Sequence, residues 1–181
     1  MIVLMGKTAS GKDTILNKLV RSYGCSKITT YTSRPIRPGE IPGVTYHYLT
    51  KEEFLEKIKE NFFAEWKSYE SVSGTWYYGV AKEDLSSAKE DDVIILTPAG
   101  YRDVKEFLPE GSICVYIHAH EDVIKMRLLE RGDNADEAVR RLKSDRADFE
   151  DAGKLADITI PNNGAMSLED IAKKIISARR K

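Results

Sequence analysis

The chain has 181 residues, 41% of them hydrophobic and 31% charged, and a net charge of -1. That length holds one well-buried core with small insertions, and the composition is that of an ordinary soluble globular protein. A near-neutral balance excludes a polyanion-binding surface spread over the whole molecule, so no nucleic-acid partner is expected and any phosphate affinity must come from local clusters of Lys and Arg.

Residues 2–5 are a continuous apolar run ahead of a glycine, the pattern of a fully buried parallel strand. Ile15, Leu16, Leu19 and Val20 follow at helical spacing within residues 12–22, so the chain opens as strand, glycine loop, helix. Residues 27–32 are Thr-rich and predict a strand. Pro35, Pro38, Gly39, Pro42 and Gly43 confine residues 33–47 to turns and short extended pieces. Phe54, Leu55 and Ile58 share one face of a helix over 51–60, with Thr50 as its N-cap. Residues 62–80 are aromatic and β-prone, with a turn at Ser73-Gly74. Val93 to Leu96 and Ile113 to Ile117 read as buried strands, and Asp157 to Ile160 as a short last one. Helices are predicted over 99–107, 121–130, 135–150 and 167–179.

Strands alternating with helices indicate an α/β fold, a three-layer α/β/α arrangement around a parallel core sheet. Residues 33–85 break the alternation and are expected to form an inserted lobe. No apolar run is long enough to cross a membrane. Met1 to Met5 lacks the length and basic leader of a signal peptide. Cys25 and Cys114 lie far apart in no metal-ligand spacing and read as reduced thiols, so a cytoplasmic protein is expected.

Gly6-Lys7-Thr8-Ala9-Ser10-Gly11-Lys12 has the spacing of a P-loop: glycine, four residues, glycine, lysine. Its glycines let backbone N–H groups curl around phosphate oxygens, the following helix points its positive end at them, and Lys12 adds a full charge. A purely structural turn can share this spacing, but the buried strand before it and the helix after it favour phosphate binding. The pattern asks for Ser or Thr after the lysine, where a hydroxyl meets Mg²⁺. Here Asp13 stands there, followed by Thr14. Asp13 either holds a cation beside the phosphates or is a first-turn residue favoured by the helix dipole.

The stretch from Thr30 to Tyr46 sets Arg34 and Arg37 in a proline-stiffened loop, a fork able to hold a phosphate, with Tyr46 as a neutral donor. Solvated surface arginines are the bland alternative, and the nearby P-loop argues against it. These residues, Thr30-Tyr31-Thr32-Ser33-Arg34-Pro35-Ile36-Arg37-Pro38-Gly39-Glu40-Ile41-Pro42-Gly43-Val44-Thr45-Tyr46, match without a gap the monophosphate-binding signature of guanylate kinases, with Thr30 for its first serine and Ser33 for its second threonine. Phe63-Ala64-Glu65-Trp66, Tyr77-Tyr78-Gly79, Arg127-Leu128-Leu129-Glu130-Arg131-Gly132, Arg141-Leu142 and Asn162 extend the match over essentially the whole chain, and the chain resembles that family.

The resemblance implies phosphoryl transfer from MgATP to GMP, with Mg²⁺ as the cofactor. It implies that Arg34, Arg37, Tyr46 and Tyr78 hold the GMP phosphate and that Thr30 and Glu65 read guanine. A carboxylate can accept both N1–H and the exocyclic amino group of guanine, a donor pair that adenine lacks. On the donor side it implies the loop from Gly6 to Thr14 with Asn162, and a lid near 126–140 carrying Arg127 and Arg131, with Arg141 at its hinge. Residues 1–32, 86–125 and 141–181 are left as the core. Lys12, Arg37, Arg131 and Arg141 are the expected catalytic charges. A solvated helix face is the alternative for the lid arginines, since Arg140, Arg141, Lys143 and Arg146 form a charged run.

Three departures stand out. Val80 replaces a family Ser or Thr that touches guanine. Ile95 and Thr97 replace two alternate aspartates, the first near the metal and the second near the guanine amino group. The loss at Ile95 beside the gain at Asp13 suggests that one carboxylate compensates for the other. The lid near 131–137 is short. GMP, dGMP or another small phosphorylated acceptor therefore stays open, and so does a non-catalytic binding module, although such modules typically degrade the P-loop that is intact here. His47, His118 and His120 lie in no ligand spacing, and a monomer is expected.

Overall fold

A computed structural model describes residues 1–71, 74–132 and 135–179, with Ala135 and Glu137 described by their backbone alone. In chain order the elements are β1 (Ile2–Met5), α1 (Lys12–Tyr23), β2 (Ser26–Lys27), β3 (Tyr31–Thr32), β4 (His47–Tyr48), α2 (Lys51–Lys59), β5 (Phe63–Ser71), β6 (Gly74–Ala81), α3 (Lys82–Ser86), β7 (Asp92–Ile95) and α4 (Pro98–Val104), then a 3-10 turn over Lys105–Phe107. They continue with β8 (Ile113–His118), α5 (Glu121–Glu130), α6 (Ala135–Asp148), α7 (Ala152–Leu155), β9 (Ile158–Pro161) and α8 (Leu168–Arg179).

The first sheet has five strands in the order β2-β7-β1-β8-β9, paired in parallel throughout. Parallel neighbours need crossovers, and the intervening helices cover both faces. Side chains of a strand alternate between faces, and β1 serves both. Ile2 and Leu4 pack with Ile15 and Leu19 of α1 and Ile171 and Ile175 of α8. Val3 and Met5 face the other way, toward Ile94, Leu96, Val104 and Phe149. A strand buried on both sides has to be apolar at every position, which is the run seen in the sequence.

The second sheet, β4-β3-β6-β5, is built on the antiparallel hairpin of β5 and β6. The predicted single strand over 27–32 is two strands in two sheets. Ser26 and Lys27 pair with Asp92 and Val93 of the first sheet, while Tyr31 and Thr32 pair with β4 and β6 of the second. β-propensity marks the run as extended but carries no information about which neighbour it pairs with. The five-residue α3 and four-residue α7 were not predicted, being too short to show a helical period. The helix predicted over 99–107 is α4 followed by the 3-10 turn, with Thr97 as N-cap and Pro98 in the first turn. Thr50 caps α2 through a full capping box with Glu53, at 3.1 and 2.7 Å.

Ser73 of the predicted turn, and residues 133 and 134 of the expected lid, lie outside the described residues. Among the described residues no helix is long and apolar enough to cross a membrane, and both cysteines are buried free thiols.

Candidate active site between the two sheets

The glycine loop joins the end of β1 to the start of α1. Gly11, the N-cap of α1, has a left-handed backbone at φ 96°, and a Cβ there would meet the Asn162 Nδ2 at 2.4 Å. Only glycine fits that conformation and that contact. Asn162 donates to the Ser10 carbonyl at 2.8 Å. Arg127 donates to the Ala9 carbonyl at 3.1 Å and to the Asn162 carbonyl at 2.9 Å. Both side chains therefore brace the loop by way of its carbonyls. Lys12 is half-buried and donates to the Lys7 carbonyl at 2.9 Å. Burial lowers its pKa, and the carboxylates of Asp13 and Asp145 work in the opposite direction. Asp13 and Thr14 are exposed in the first turn of α1.

Two cavities flank the loop. The smaller, of about 410 Å³, is lined by Ala9, Gly11, Asp13, Thr14, Arg127 and Asn162, among others. The larger, of about 920 Å³, lies between the loop and the second sheet. It is lined on the loop side by Gly6, Thr8, Lys12 and Asp13, and on the helical side by Arg131 and Arg141. Thr30, Arg34, Arg37, Tyr46 and Tyr78 line its opposite wall. Arg131 borders both cavities.

Arg34 is buried, 4% exposed, and is fixed by Glu40 at 2.7 Å and by the Pro35 carbonyl at 2.6 Å. Glu40 organises the whole turn, since its second oxygen accepts the Arg37 N–H at 2.7 Å and the Tyr48 hydroxyl at 2.8 Å. Arg34 also lies over the Tyr46 ring, 5.5 Å from its centroid. Burial lowers the pKa of Arg37, and Arg34, Arg141 and Arg131 lower it further. Four guanidinium groups from the insert and the α5–α6 region thus act on one side of a cavity that Asp13, Asp145 and Asp148 also line.

At the far end of the same cavity, Glu65 faces inward from β5, opposite Val80 on β6. Its Oε2 is buried without a hydrogen-bond partner, and burial pushes its carboxyl up to about 7. Gly100 lets the start of α4 press against it, because a Cβ there would lie 3.1 Å from the carboxylate. Thr97 lines the cavity, but its Oγ1 already accepts the Gly100 N–H at 3.0 Å as the cap of α4. Tyr69 stands beside Glu65 and Thr97, its phenol pushed up by burial to about 12.

The residues expected on the acceptor side, Thr30, Arg34, Arg37, Tyr46, Glu65, Tyr78 and Thr97, all line the larger cavity. Of the donor-side residues, Gly6, Thr8, Lys12, Asp13 and Arg131 reach it as well. Lys7 contributes its carbonyl to Lys12, and Ser10 is buried with a partnerless hydroxyl. His118 and His120 border neither cavity, and His47 packs on Tyr31 with ring centroids 4.6 Å apart. Sequence reasoning missed Glu40, Tyr69, Lys27 and Asp145. Glu40 sits within the quoted signature and was open to notice. Lys27 donates to the carbonyls of Val44 and Thr45 at 2.7 and 2.5 Å, tying β2 to the loop before Tyr46. Asp145 accepts the Thr8 N–H at 2.6 Å from a position 137 residues away, and no local pattern announces that contact.

A parallel α/β sheet with a glycine loop of P-loop spacing at the end of its central strand, opening on an arginine-lined cavity, is the architecture of the P-loop α/β class. A sequence model of the family described as guanylate kinase matches residues 1–179, and the chain belongs to the guanylate kinase family. It is 30% identical to a guanylate kinase from Symbiobacterium thermophilum over 99% of this chain and 82% of that protein. It is 35% identical to one from Wolinella succinogenes over 77% of this chain and 65% of that protein. Its fold is similar to the crystal structure of a guanylate kinase from Anaplasma phagocytophilum, with a TM-score of 0.71 at 22% identity over 99% of this chain and 84% of that one.

Proposed function

We propose that this protein transfers the terminal phosphoryl group of ATP, as its magnesium complex, to the phosphate of GMP, giving ADP and GDP. The observation that carries this reading is one cavity lined both by four arginines beside the glycine loop and by Glu65, which has one carboxylate oxygen buried without a partner. The arginine field supports an anionic acceptor. Glu65, once ionised, accepts the N1–H and amino group of guanine and leaves no unpaired oxygen.

The nucleoside of the donor belongs in the smaller cavity, with its phosphates on the loop. An oxygen of the GMP phosphate bonds to the terminal phosphorus of ATP as the bond from that phosphorus to the bridging oxygen breaks. Little covalent chemistry is asked of the protein, so positioning and positive charge carry the rate. Lys12, Arg37, Arg131 and Arg141 supply that charge. Glu40 aligns the two acceptor arginines.

Mg²⁺ fits the donor set: it binds by one or two carboxylates together with phosphates and water, and Asp13 offers one exposed carboxylate at the loop. When bound, Mg²⁺ neutralises charge on the phosphates. Residues 33–85 form the acceptor lobe in this reading and 126–140 the lid, in a cytoplasmic monomer.

The test is a coupled assay of ADP release against GMP, dGMP, AMP and UMP. The expected result is turnover with GMP far above AMP and UMP. Turnover that no nucleoside monophosphate stimulates, or that AMP stimulates equally, overturns the assignment.

A further inference from the structure

The phosphate loop is already engaged by an anion from the protein itself. Thr8 donates its backbone N–H to Asp145 Oδ2 at 2.6 Å. Asp145 is half-buried on α6, near Lys12 and Lys7. A short charge-assisted bond between a loop amide and a carboxylate occupies a position that the loop's chemistry reserves for phosphate oxygen.

The two cavities say which phosphate is in question. Ala9, Gly11 and Thr14 line the smaller one, where the donor nucleoside belongs, and Thr8 does not. Thr8 lines the larger one, with Arg37, Arg131 and Arg141. A phosphate chain running from the smaller cavity over the loop reaches Thr8 last, with the phosphate to be transferred. We propose that Asp145 is a specificity-determining residue of the donor site: it holds the place of the terminal phosphate on the Thr8 amide, and so weakens triphosphate binding while leaving diphosphate binding untouched. This rests on the reading of ATP as donor.

Two anions cannot share one N–H beside Lys12, so the terminal phosphate has to displace Asp145. The apparent affinity for ATP is then reduced by the small fraction of molecules in which the amide is free. ADP ends one phosphate short and leaves the bond in place. Arg141 lies one helical turn before Asp145 on α6, on the same face. The terminal phosphate would thus meet Asp145 and Arg141 on one face of α6.

Calorimetric titration of ATP and of ADP into the full chain, with Mg²⁺ and no acceptor, tests this in the wild type, Asp145→Asn and Asp145→Ala. The expected result is ATP bound about tenfold more tightly by Asp145→Ala and less so by Asp145→Asn, whose neutral oxygen still accepts, with ADP unchanged to within about twofold. In the wild type the Thr8 amide resonance moves with ATP and stays put with ADP, and in the ligand-free Asp145→Ala protein it is already displaced. An unchanged ATP-to-ADP ratio, or weaker ATP binding in the variants, overturns the role of Asp145. Failure of the wild type to bind ATP at all overturns the donor assignment itself, so the two ideas fail separately.

Discussion

If Glu65 reads the base, as proposed above, its protonation sets the pH at which it can do so. Burial lifts its carboxyl from an ordinary 4.5 to about 7. Only the ionised form accepts two N–H groups, so kcat/KM for GMP should fall about tenfold per pH unit below about 7. Stability runs the other way: a raised folded value favours the folded state below the ordinary carboxylate range, and that contribution is lost as pH rises through about 7. Glu65→Gln should remove this limb of the rate profile. It should also cut the preference for GMP over AMP, because an amide can turn its N–H toward adenine N1. A ratio of kcat/KM values for the two acceptors that does not change in Glu65→Gln would take base reading away from Glu65. Lys12→Ala is the companion test on the donor side. In the proposed mechanism it removes a transition-state charge, and turnover should drop about 10²–10³-fold with the melting curve nearly unchanged. Near-normal turnover would remove Lys12 from the chemistry. Both residues were legible in the sequence because each sits in a local motif. Asp145 and Tyr69 were not, since their importance arises from neighbours on other elements that no spacing rule relates to them.

At the scale of elements, α4 positions the Glu65 end of the larger cavity. Thr97 was read from the sequence as a neutral group facing guanine, and in the structure its Oγ1 is engaged as the helix cap, at 3.0 Å from the Gly100 N–H. The cap fixes the first turn of α4, and Gly100 brings that turn against Glu65. Gly100→Ala should therefore push the carboxylate away, raising the KM for GMP with little effect on ATP binding. Equal KM values in the variant and the wild type would show that Glu65 has room to yield. The capping box of α2 lies away from both cavities, so Thr50→Ala should cost about 1 kcal/mol of stability in a denaturant titration. Caps of this kind, and the apolar face of α1, were readable because the interactions are local. The split of residues 27–32 between two sheets was not, because Lys27 and Tyr31 differ in their pairing partners rather than in propensity. Elements as short as α3 and α7 complete too few turns to leave a period.

At the scale of the whole molecule, the arginine field explains why the two sheets should draw together on binding. Arg34 and Arg37 belong to the insert, whereas Arg131 and Arg141 come from the α5–α6 region, and their mutual repulsion bears on Arg37. An anion entering a cavity of about 920 Å³ between the insert and the α5–α6 region is attracted from both sides and favours their approach. The acceptor phosphate supplies charge from one side and the terminal donor phosphate from the other. Closure should therefore be partial with either substrate and full only with both, which is also the state in which water must be excluded from transfer. Lys27 restrains the movement near its base, since its bonds to Val44 and Thr45 tether the insert to β2. The segment 28–30 between the two sheets is then the natural hinge. Small-angle scattering with a bisubstrate analogue, ATP and GMP joined through their phosphates, should show a smaller radius of gyration than the free protein. ATP or GMP alone should give an intermediate value. Arg37→Ala should reduce the contraction, because it removes both part of the repulsion and part of the attraction to the bridging phosphates. A radius of gyration that is the same with and without the analogue would mean the cavity is preformed, and the arginine field would then act on the transition state without moving the lobes.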